Sequence, residues 1–162
     1  MEWFVKAFLK ASLAWLGAGV TLGIAMAAHP AWTVYRTAHF HMNLLGFVAM
    51  MIFGVAYHVI PRFSGHPLHR RRVAVAQWWM SNVGLVLMAT GFVLVARGVS
   101  AAWMVIAVGG LTSAGGAYAF IYNLWRTIDG PKGARRAAQR VSAQVATAPA
   151  ARRLPVNQGA SR

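Results

Sequence analysis

TAHFHMNLLGFVAMMIFGVAYHVI, residues 37–60, runs for twenty-four positions without an Asp, Glu, Lys or Arg. As an α-helix rising about 1.5 Å per residue, it is long enough to cross the roughly 30 Å hydrocarbon layer of a membrane. Its apolar residues occupy every face, whereas a helix on a water-soluble core keeps a polar stripe. Working outward, similar stretches with charge-free centres occupy about residues 8–28, 74–96 and 100–125. The expected fold is therefore an all-α integral membrane protein, a bundle of four transmembrane helices within residues 1–126.

Composition agrees with this reading. The 162 residues are 58% hydrophobic and include only two acids, Glu2 and Asp129. A small soluble core could not absorb that much apolar surface. The first span has basic residues, Lys6 and Lys10, ahead of its apolar run, as a secretory signal peptide does. Its apolar part is longer than a typical signal, and no small-residue cleavage site precedes a polar start, so it is read as a retained helix. The absence of cysteine excludes disulfides, thiolate metal sites and covalent c-type haem attachment within the chain.

Sixteen Lys and Arg against two acids raise the question of nucleic acid, but their placement answers it. In a four-span chain the N-terminus, the middle loop and the C-terminus share one side. That side carries Lys6, Lys10, Arg62, Arg70, Arg71, Arg72, Arg126 and the tail, whereas the other carries only Arg36 and Arg97. The positive-inside rule places the basic side in the cytoplasm, with both termini inside. Residues 127–162 form a basic tail without an apolar run, expected to be disordered apart from a short helix around 134–146 lying on anionic lipid. The tail has no aromatic residue to stack on a base, so no nucleic acid partner is expected.

Glycines punctuate all four spans, among them Gly19, Gly23, Gly46, Gly84, Gly91, Gly109 and Gly116. In lipid, small residues let helix backbones approach closely, which makes for a tight bundle. Trp3, Trp32, Tyr35, Trp78, Trp79, Trp103, Tyr122 and Trp125 fall near span ends, as an interfacial aromatic belt does. Pro61, Gly65 and Pro67 stop the second helix, and short connections make helices two and three, then three and four, antiparallel neighbours.

Polar side chains inside a membrane are costly without partners, which singles out His39 and His41. Two residues apart on an α-helix means about 200° of rotation, so the rings leave on nearly opposite faces and do not chelate one ion together. They are hydrogen-bonded residues at a wet helix start, or each serves a separate centre on its own side of the helix. His29 is placed near the same membrane face by the preceding connection. His58, beside Tyr57 at the far end of the span, reads as an interfacial residue, and His66 and His69 as solvated loop residues.

The surrounding residues carry a family resemblance. Thr37-Ala38-His39-Phe40-His41-Met42-Asn43-Leu44-Leu45-Gly46-Phe47, then Phe53-Gly54-Val55-Ala56-Tyr57 and Ile60-Pro61-Arg62, resemble the tenth helix of the catalytic subunit of haem-copper oxidases. The cytochrome cbb-type oxidases and the nitric oxide reductases are the most similar branches. Gln77-Trp78-Trp79-Met80 is similar to the aromatic start of the next helix in that family. The resemblance covers about residues 30–97, and the chain looks like a small, fragment-like member built on the C-terminal part of the subunit I fold. It implies that His39 corresponds to the proximal ligand of a high-spin haem and His41 to an axial ligand of a low-spin haem b.

Departures from the family pattern narrow the chemistry open to this chain. The family's remaining haem and copper ligands stand on helices with no counterpart here, Gln77 occupies a position where a histidine is usual, and no carboxylate lies inside a span. Reduction of oxygen or nitric oxide by this chain alone is not expected. Three readings remain. The first is a membrane haem-binding subunit for electron transfer, using His41 or His39 with His29, a second copy of the chain or another respiratory subunit. The second is a cofactor-free membrane module that packs against a respiratory complex or assists its assembly. The third is an outer-face copper site of His29, His39, His41 and Met42.

Overall fold

The computed structural model describes residues 1–147, and all their regular structure is helical. Helix α1 spans Trp3–Ala28 and helix α2 spans Pro30–Ser64. Helix α3 spans Arg71–Ala96, α4 spans Ala102–Asp129 and α5 spans Lys132–Thr147. The first four are long and apolar enough to cross a membrane. Large apolar side chains such as Leu13, Ile24, Leu44, Ile52, Val86 and Leu111 look outward, as lipid-facing residues do.

Helix ends obey local chemistry. Pro30 disfavours helical backbone at His29, which is extended at φ −129°, and Pro30 then opens α2 without needing an N–H partner. α2 consequently starts at Pro30 as a 3₁₀ turn through Tyr35, ahead of the apolar run. At its other end Gly65 takes the left-handed conformation, φ 67°, that closes many helices. Gly98 at φ 80° makes the tight turn between α3 and α4. α1 likewise begins earlier than its apolar run, at Trp3.

α2 changes its winding along its length. Arg36–His41 is α-helical, Met42–Ala49 is wound as a wider π-helix, and Met50–Ser64 is α-helical again. The Asn43 amide donates to the His39 carbonyl at 2.9 Å, the acceptor that regular α winding would assign to the backbone N–H of Asn43. Over the next residues the backbone takes the wider i→i+5 pattern.

α3 and α4 form the most extensive interface, and α1 packs on the π and lower α segments of α2. The two pairs meet in a core of Phe4, Phe8, Met50, Tyr57, Ala74 and Leu85, with Phe53, Phe120 and Leu124 against it. This core lies toward the basic end of the bundle, where α1 starts, α2 and α4 finish and α3 starts. The opposite end carries His39 and His41. Trp78 packs against the core rather than standing only in an interfacial belt. Residues 1–129 form one compact unit. α5, the helical part of the tail, covers the stretch that the sequence marks as a short helix and belongs to a second unit, whose residues from 148 onward lie outside the described part.

Candidate functional site

The histidine end is built around the short α segment Arg36–His41, whose regular winding sends its two imidazoles to different neighbours. His39 faces α1. Its Nδ1 stands 2.9 Å from the Gly19 carbonyl oxygen, so that nitrogen carries the proton and donates. The ring lies directly on Gly23, where an added Cβ would come within 2.9 Å of His39 Cε1. Asn43 sits one turn below, and a Cβ at Gly19 would meet its side-chain nitrogen at 2.6 Å. Two glycines of α1 thus make room for two polar side chains of α2.

His41 faces the other way. Its ring is stacked at a tilt on Phe92 of α3, with centroids 4.7 Å apart, and is half-buried. Its Nδ1 lies 2.8 Å from the Thr37 carbonyl on its own helix, which fixes the proton on Nδ1 and leaves Nε2 with its lone pair. An imidazole oriented by a backbone carbonyl through one nitrogen can serve as a metal ligand through the other. His29 is exposed, with its ring 5.5 Å from Trp32, and Met42 is half-buried beside His41. Tyr35 ties the α2 start to the α3–α4 turn by accepting a 2.8 Å bond from Arg97 Nε.

Among the described residues no three of His, Asp and Glu stand close enough together to hold a metal ion. His39 and His41 thus stand on one helical turn and face different neighbours, α1 and α3, as a spacing of two residues dictates. His39 is packed on α1 at Gly19 and Gly23, whereas His41 leans on α3.

The basic end holds polar groups that composition and spacing did not single out. The Tyr57 hydroxyl donates to Gln77 Oε1 at 2.5 Å, linking α2 to α3 inside the core, while Gln77 Nε2 is buried without a partner. Asn123 of α4 accepts from the Arg70 N–H at 2.9 Å and donates to its carbonyl at 3.0 Å. Thr127 accepts from the His69 N–H at 3.0 Å. His69 is consequently packed, edge-on to Tyr122 with Nε2 buried, rather than a solvated loop residue. The sequence signal for this joint is a pair of polar residues four apart at the end of an apolar span, Asn123 and Thr127. Midway along the bundle, Trp15 of α1 donates to Asn82 of α3 at 3.1 Å.

No protein-family model matches the sequence. Among curated proteins, the chain is similar to the Cbb3-type cytochrome c oxidase subunit CcoN1 of Stutzerimonas stutzeri, with 27% identity over 155 aligned positions. The match takes in 77% of this chain and 33% of that protein, so the chain spans about a third of the length of the relative. This distant similarity and the four apolar helices support a bacterial membrane protein.

Proposed function

We propose that the chain is a membrane haem-binding subunit that works beside a respiratory complex, with its basic end in the cytoplasm and its histidine end outside. His41 would hold a haem b through its imidazole, and a second copy of the chain or another membrane subunit would supply a further ligand. The observation that carries this reading is the unequal engagement of the two imidazoles. His39 is engaged in joining α1 to α2, whereas His41 is oriented through Nδ1 by Thr37 of its own helix and leans on Phe92.

Haem b bound there would supply one-electron transfer. The chain's own contribution is orientation: the Thr37 carbonyl sets the tautomer of His41, and Phe92 holds the ring plane. Oxygen or nitric oxide reduction is not proposed for these residues, since the resemblance implies that its other ligands stand on helices outside this sequence. Copper capture by His29, His39, His41 and Met42 is not favoured, because His39 is packed toward α1 while His41 leans on Phe92 of α3.

A second reading, the cofactor-free module, is favoured by one observation: His39 and Asn43 both make hydrogen bonds that a packing role explains in full. A pyridine haemochrome assay on the purified protein separates the two. A b-type spectrum lost in His41→Ala supports the haem subunit, and its absence from the wild type supports the module.

A further inference from the structure

At the basic end, the start of α1, the end of α2 and the α2–α3 connection enclose an open cavity of about 810 Å³. Its size is in the range of small-molecule sites, roughly 300–1,000 Å³. The floor is apolar and buried, formed by Phe4, Val5 and the ring of Tyr57. The rim takes its positive charge from Arg62 and Arg71, with His58 and His66 beside them, and Glu2 is its one acid among the described residues. Glu2 is ion-paired to Arg71, so an oxygen anion already occupies part of this rim. Arg62 is braced by its own helix, donating to the His58 carbonyl at 2.6 Å and to His58 Nδ1 at 2.7 Å.

A second hollow of about 420 Å³ shares Trp3, Phe4 and Arg71 with the first and continues over Val75 and Ala76 along α3. Arg71 therefore stands at a junction between a cationic cavity at the helix ends and an apolar furrow running along a span. A ligand that fits both parts has an anionic head and a hydrocarbon tail. Span ends lie at the depth of lipid headgroups, where basic pockets between helices take phosphate-bearing lipids.

We propose that this double cavity binds an anionic phospholipid, with the phosphate held between Arg62 and Arg71 and an acyl chain laid along the furrow at Val75. Glu2 competes with the phosphate for Arg71, which makes it a weak built-in cover. The site is independent of the histidine end and of any haem there.

The test uses the full-length protein, delipidated in a neutral detergent, with lipid binding followed by native mass spectrometry. Dioleoylphosphatidylglycerol should bind in preference to dioleoylphosphatidylcholine, and Arg62→Ala and Arg71→Ala should each weaken it about tenfold. Lys6→Ala, which removes a charge outside the cavity, should leave it unchanged. Glu2→Gln should tighten binding about threefold, a gain that misfolding does not produce. Equal binding of the two lipids, or Arg variants and Glu2→Gln all matching wild type, would overturn the proposal. Displacement of the lipid by millimolar inorganic phosphate would overturn the lipid assignment in favour of a free-phosphate site.

Discussion

The two helix pairs of this bundle use small residues differently. Between α3 and α4 one glycine crossing brings backbone onto backbone: a Cβ at Gly84 would lie 2.7 Å from the Gly109 carbonyl oxygen, and one at Gly109 would lie 2.7 Å from the Gly84 carbonyl oxygen. Between α1 and α2 glycine meets side chains, with Gly19 against Asn43, Gly23 against His39 and Gly46 against Trp15. The first pair is a close-packed joint that lipid-phase packing explains by itself. The second makes room for polar groups within a span, where such groups are costly and mark the functional candidates.

Substitutions that fill these spaces separate the two joints. Gly84→Val should have the largest effect, because backbone on α4 cannot rotate away, and about 3 kcal/mol of stability should be lost. Unfolding in mixed detergent micelles would register it, and a wild-type midpoint would contradict the close joint. Gly19→Val should cost less, about 2 kcal/mol, since the Asn43 side chain can swing aside at the expense of its bond to the His39 carbonyl. His39→Ala removes the bond to Gly19 and opens space beside Gly23, for about 1 kcal/mol in the same assay. His41→Ala should barely move the midpoint, because its hydrogen bond is local to its own turn and its ring is half-exposed. If His41 proved as costly as His39, the distinction between a packing imidazole and an available one would fail.

Much of this architecture was legible in the sequence. Charge-free runs located the four spans, because in lipid the backbone must satisfy itself and long apolar helices do so. The spacing of His39 and His41 gave their opposite directions, since the segment that holds them keeps regular α winding. Other features depended on tertiary partners. Nothing in Met42–Ala49 announces a π-helix, at whose start the Asn43 side chain bonds the His39 carbonyl. Gln77 stands out as a place where the resembling family has histidine, but its bond to Tyr57 exists only once α2 and α3 are side by side. The basic residues Arg62 and Arg71 read as topology signals, and their meeting around one cavity needs the α2–α3 turn and the start of α1 together. Which of the two span imidazoles is engaged by packing was likewise closed to sequence, because it depends on Gly19 and Gly23 lying opposite His39.

The division of labour proposed for the two imidazoles is that His39 holds the bundle while His41 holds the haem. Its most direct test is the reduced-minus-oxidised absorption spectrum of the wild type, His39→Ala and His41→Ala, purified in parallel and normalised to protein. A b-type signal present in the wild type, retained in His39→Ala and absent from a folded His41→Ala is the predicted result. Retention in His41→Ala with loss in His39→Ala, or no haem in the wild type, would contradict it.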